Sequence, residues 1–111
     1  MGGVEGGNSR AQRVTLRVSI TTRARLEILE AIDWHNGRLA GLGDSFEAEV
    51  DRQIRRISEN PRQFPAVETD TRRSRLRRFP YSLFFQIRPK GILITACFHA
   101  HRDPRRLEDR N

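Results

Sequence analysis

The spacing of apolar residues changes along this chain from that of a strand to that of a helix and back, which limits the folds open to it. Val14, Leu16, Val18 and Ile20 alternate with Thr15, Arg17 and Ser19, as in a strand with one buried face. Beyond Thr21 and Thr22, which offer a hydroxyl N-cap, Ala24, Ile28, Ala31, Ile32 and His35 share one side of a helix flanked by Leu26 and Leu29. That helix is expected to run to about Asn36-Gly37, with Trp34 packed against its neighbours. Past the break at Gly41 and Gly43, Asp44 and Glu47 have the spacing of a capping box. Phe46, Val50, Ile54 and Ile57 then form the stripe of a second helix, which Asn60-Pro61 stops. Three extended runs follow, over 72–79, 81–87 and 92–99, with Pro89-Lys90-Gly91 as a hairpin turn between the last two. In the middle run Tyr81, Leu83, Phe85 and Ile87 point one way and Ser82, Phe84, Gln86 and Arg88 the other, so one face is expected to be buried. The fold class is α+β: an N-terminal strand, a two-helix hairpin, then three antiparallel strands, with the helices on one face of the sheet.

A chain of 111 residues has room for one domain, placed over 14–111. Residues 1–13, with Gly2, Gly3, Gly6 and Gly7, bury little and are read as a flexible leader. The one cysteine, Cys97, excludes an internal disulfide and falls in an apolar run, where it reads as packing. No apolar stretch nears the roughly 18–20 residues that span a bilayer, and the N-terminus lacks a signal-peptide core, so a cytoplasmic location without membrane contact is expected. His99 and His101 have no further Cys or His cluster beside them, and no phosphate-cradling glycine motif or nucleophile elbow is present. Neither a metal nor a cofactor is expected.

The charge is more informative. Lys and Arg number 21 against 14 Asp and Glu, a net charge of +7 that favours an anionic partner, nucleic acid or acidic protein. All but Lys90 of these cations are Arg. We attribute that ratio to coding composition and read the positions instead. Residues 72–78 carry Arg72, Arg73, Arg75, Arg77 and Arg78. On a strand, Arg73, Arg75 and Arg77 share one face, a row of guanidinium forks suited to carboxylate or phosphate. Charge that protects a sheet edge is the plainer account, but like charges along one strand face repel and seldom serve stability. A second cluster follows the last strand, where His99 and Arg102, with Arg78 and Tyr81, supply groups that move protons and stabilise a phosphate. A hydrogen bond from His99 closing the sheet and an Arg102–Asp103 ion pair would explain the same residues structurally. Phe79, Phe84 and Phe85 lie among the arginines and are read as core before base-stacking platforms.

With this element order, four local strings give the chain a resemblance to the RelE/ParE superfamily of toxins from bacterial type II toxin–antitoxin systems. They are Leu42-Gly43 before Phe46, Asn60-Pro61 with Phe64-Pro65, Arg77-Arg78-Phe79-Pro80-Tyr81, and His99-x-x-Arg102-Asp103-Pro104, and together they cover about 14–110. The resemblance implies a small basic toxin, neutralised by a cognate antitoxin that brings an acidic segment, with a toxin–antitoxin hetero-oligomer as the resting form. Arg73, Arg75 and Arg77 are the expected seat for that segment or for the target. ParE-like members poison DNA gyrase and need no catalytic residues, whereas RelE-like members cut mRNA on the ribosome. Arg78, Tyr81, His99 and Arg102 would partly fill a RelE-like cluster. The single Lys90, at a turn, and the lack of a C-terminal Tyr favour the ParE-like branch. The expected function is a growth-inhibiting toxin directed at gyrase. Its alternatives are a ribosome-dependent mRNA endonuclease and an inactive basic binding module.

Overall fold

The computed structural model describes residues 16–100, so the leader over 1–13, the start of the first strand and Arg102 lie outside the described residues. Element order runs β1 (Val18–Ile20), α1 (Thr22–Arg38), α2 (Leu42–Glu59), a single 3-10 turn (Pro61–Gln63), β2 (Arg72–Arg75), β3 (Tyr81–Arg88) and β4 (Gly91–His99). The four strands form one sheet in the order β1-β4-β3-β2, with β1 parallel to β4 and the other two pairings antiparallel. This is the α+β architecture expected, with both helices on one face. Parallel pairing of β1 and β4 is possible because the helix pair and two strands separate them, ample chain for a crossover.

Thr21 caps α1 as its sequence predicts, its hydroxyl accepting a 3.0 Å hydrogen bond from the Ala24 N–H. The helix continues one residue past Gly37, to Arg38. No capping box opens α2. It starts at Leu42, two residues before Asp44, and is entered through Gly41 without a side-chain cap. What fixes that entry is packing: Asn36 Oδ1 accepts from the Gly43 N–H at 2.7 Å, and a Cβ on Gly43 would run into the Ile32 carbonyl. Gly43 thus lets the two helices approach at their hairpin, a demand set by a neighbour in space and not by the local pattern.

Phe46, Val50, Ile57, Ala24, Ile28 and Ala31 from the helices meet Leu83, Phe85, Ile92, Ile94 and Cys97 from the sheet in one core. Burial pushes the Cys97 thiol up to about 12, aided by the nearby Glu27 carboxylate, consistent with a packing role. Trp34, expected to pack, is instead 54% exposed, with the Arg38 guanidinium 4.9 Å from its ring centroid.

Two departures from the expected strands shape the site. A bulge at Thr95 pairs Phe84 with Ala96 but Phe85 with Ile94, so Ile92 and Ile94 before it and Cys97 after it all face the helices. Ala96 and Phe98 are thereby turned to the far face, where they join Phe84 in a second cluster. Strand β3 is therefore buried on both faces, not one. The second departure is the length of β2, which stops at Arg75 instead of running to Phe79.

Candidate anion-binding groove

On the sheet face away from the helices, Phe84 and Phe98 stack with ring centroids 5.0 Å apart. Arg73 lies directly opposite Phe84 in the β2–β3 register, and Arg75 is opposite Ser82. These side chains, with Tyr81 and His99 at the far end, line a groove of about 620 Å³. Its floor is aromatic and its β2 side is cationic. Arg73 Nε is buried and, among the described residues, has no hydrogen-bond partner. A desolvated guanidinium N–H left unmatched is costly, and the Arg73 side chain that carries it lines the groove. Glu68, across the rim, is the acidic group that lines the same groove.

A second groove of about 630 Å³ runs between α1 and β4. Strand β1 covers β4 only from Ile92 to Ile94, and past that point the Cys97 N–H turns to Glu27 Oε1, 2.9 Å away. Leu26, Glu30 and the exposed Trp34 form its helix wall. Tyr81, Phe98 and His99 line both grooves, which therefore meet at the end of the β3–β4 ladder. There Tyr81 pairs with His99 in register, ring centroids 5.3 Å apart.

The expected row of three arginines is corrected to two. Beyond Arg75 the chain leaves the sheet, Leu76 and Phe79 turn into the core, and the Arg77 N–H is captured 2.6 Å from Glu49 Oε2. The exposed Arg77 and Arg78 side chains do not line the groove. Arg78 is also the one non-glycine residue with positive φ among those described, at 69°. Of the four residues expected in a nuclease-like cluster, the structure brings Tyr81 and His99 together and leaves Arg78 outside their groove; Arg102 lies outside the described residues. Among the described residues no group of three or more His, Cys, Asp or Glu is placed to hold a metal ion, and no helix is long and apolar enough to cross a membrane.

The capture of Arg77 depends on a buried polar network absent from the sequence reading. Glu49 takes Nε and Nη2 of Arg52 at 2.8 and 3.0 Å and Gln53 Nε2 at 3.0 Å, and the fully buried Ser74 hydroxyl donates to Gln53 Oε1 at 2.8 Å. This ties α2 to β2 beneath the groove. The signal for it was present: Glu49 and Gln53 stand four apart within the stripe of Phe46, Val50 and Ile57. Burial alone would raise the Glu49 carboxyl, but Arg52, the Arg77 N–H and Gln53 outweigh it and bring the pKa down to about 2.

The direction of that shift sets a pH dependence. A carboxylate depressed in the folded state adds stability above its ordinary value of 4.5 and loses it as acid carries the pH down through about 2. The full contribution is at most about 3 kcal/mol, of which about 2 kcal/mol is gone by pH 3. Glu49→Gln, which cannot titrate, is expected to remove most of this pH-dependent component between pH 7 and pH 3 in denaturant melts. Equal losses in the two proteins would refute the assignment.

No family model matches the chain, and no curated protein sequence matches it. Among solved structures, it is similar to a chain of the chromosomal ParDE TA system from P. aeruginosa, at 21% identity and a TM-score of 0.63, over 77% of this chain and 96% of that one. At that identity the likeness is one of fold: the strand, helix hairpin and three-strand order is a ParE-like fold.

Proposed function

We propose that the chain is the toxin of a type II toxin–antitoxin pair, with DNA gyrase as its target. The observation that carries this reading is the fold shared with a ParDE chain over nearly the whole of that chain. The groove supports it. Arg73 and Arg75 supply cations beside an aromatic floor, and the second groove continues past Tyr81 and His99. An antitoxin segment with carboxylates for Arg73 and Arg75 and apolar side chains for Phe84 and Phe98 fits these surfaces, and ordering such a segment on a preformed groove is how an acidic, partly disordered chain gains affinity. The toxin acts in the cytoplasm, and a toxin–antitoxin hetero-oligomer is its resting form.

The ribosome-dependent endonuclease is the second reading, favoured by the contact between Tyr81 and His99. Arg78 points against it, lying outside their groove. Two measurements decide between them: supercoiling by gyrase in the presence of the purified chain, and labelled amino-acid uptake in the first minutes after induction without antitoxin. Supercoiling is expected to be inhibited while uptake continues. Collapse of uptake before any other effect, with supercoiling untouched, would replace the gyrase reading by the ribosomal one.

A further inference from the structure

Arg77 and Arg78 sit on a short loop whose main chain is fixed in place while their side chains are exposed. Leu76 and Phe79, on either side, are buried at 6% and 9% exposure, so both ends of the loop are anchored in the core. The Arg77 N–H is fixed to Glu49 Oε2 from a helix 28 residues earlier, and the same carboxylate holds the Arg52 guanidinium. Between the anchors Arg78 adopts φ 69°, a conformation that an L residue with a side chain adopts at a cost and that glycine adopts freely. Glycine would suit the backbone here, yet an arginine occupies the position and is exposed to solvent. Residues kept in such conformations by an over-determined surrounding cluster at sites of function. Neither arginine lines the groove, so the groove's occupant does not explain them.

We propose that Arg77 and Arg78 form a preset contact for the phosphodiester backbone of a nucleic acid, separate from the groove. Two guanidinium groups on consecutive residues, presented from an anchored loop on a chain of net charge +7, suit the regular oxyanions of a backbone. A fixed loop loses little freedom on binding, which gives the two contacts more weight than arginines on a mobile segment have. The inference does not depend on the toxin reading, because it concerns the purified chain and a nucleic acid alone.

The test is fluorescence anisotropy with a labelled 20-base-pair DNA duplex and, in parallel, a single-stranded 20-nucleotide RNA, across a salt series. Wild type is compared with Arg77→Ala/Arg78→Ala and with Arg88→Ala/Lys90→Ala, which removes the same charge from the β3–β4 turn. Loss of two phosphate contacts is expected to weaken binding about tenfold at moderate salt and to flatten the log–log salt slope on duplex DNA by roughly two. The turn variant is expected to change both far less. Preference for duplex or for RNA names the source of the phosphates. Arg78→Gly supplies a second arm: it relieves the backbone, so its Tm is expected about 4 °C above that of Arg78→Ala, while binding falls equally in both. The proposal is overturned if neither probe binds, or if the two double variants lose affinity to the same extent.

Discussion

Phe46→Ala is expected to destabilise the fold by about 3–5 kcal/mol, lowering Tm by on the order of 20 °C in a thermal melt. Phe46 is fully buried and its ring is the hub of an aromatic group drawn from both helices, β3 and the loop before it. It stacks on His35 of α1 at 4.9 Å and 16°, and meets Phe79 and Tyr81 edge-on at 5.2 and 5.0 Å. Edge-on pairs add to the burial of area itself because ring edges are positive and ring faces negative. The cavity left by truncation cannot close easily. His35 is held by its Nδ1–H, which donates to the Ala31 carbonyl at 2.6 Å, and Tyr81 is held by its strand pairing. Because Phe79 anchors the arginine loop and Tyr81 walls both grooves, the same substitution is expected to loosen the site as well as the core. Phe46→Leu, which refills most of the space, should lose much less. If Phe46→Ala melted within a few degrees of wild type, the packing described for this hub would be wrong.

The hub also marks where the sequence was sufficient. Phe46, Val50 and Ile57 declare the buried side of α2 by spacing alone, Thr21 declares the start of α1, and Pro89-Lys90-Gly91 declares the hairpin. Each is decided within a few residues along the chain. The misjudged features depend on partners distant in sequence. Gly43 replaces the capping box because Ile32 and Asn36 lie against it. The second face of β3 is buried because the Thr95 bulge turns Ala96 and Phe98 onto it, and an alternation rule has no means of locating an extra residue. Trp34 lies outside the core because α1 needs only Ala24, Ile28, Ala31 and His35 to meet its neighbours.

The site follows the same division. Period two placed Arg73 and Arg75 on one face correctly, and it failed at Arg77 because Glu49 takes that residue's N–H and ends the strand's regularity. A local pattern carries no information about a hydrogen bond spanning 28 residues. The aromatic floor is half legible: Phe84 follows the arginines closely in sequence, but its partner Phe98 faces it only because of the bulge.

Charge reversal at Arg73 and Arg75 is the substitution with the largest expected effect on partner binding. Arg73→Glu/Arg75→Glu takes the net charge of the chain from +7 to +3 and turns the cationic side of the groove anionic. A carboxylate seated in the groove beside Arg73 and Arg75 would then face like charge in a partly desolvated site, and each lost charged contact costs about 2–5 kcal/mol. On the proposed function, binding to a cognate antitoxin, by calorimetry with both proteins purified, is therefore expected to weaken more than a hundredfold. Arg73 is half-buried, so the variant's own melt must accompany the titration. Arg73→Gln/Arg75→Gln, which keeps hydrogen-bonding capacity and removes charge, is expected to bind with intermediate affinity and to fold normally. The order wild type, Gln pair, Glu pair is what separates recognition by charge from general damage to β2. Salt adds an independent check, since wild-type affinity should fall with rising ionic strength and the Gln pair should respond less. An antitoxin that bound the folded Glu pair as tightly as wild type would place its acidic segment somewhere other than this groove.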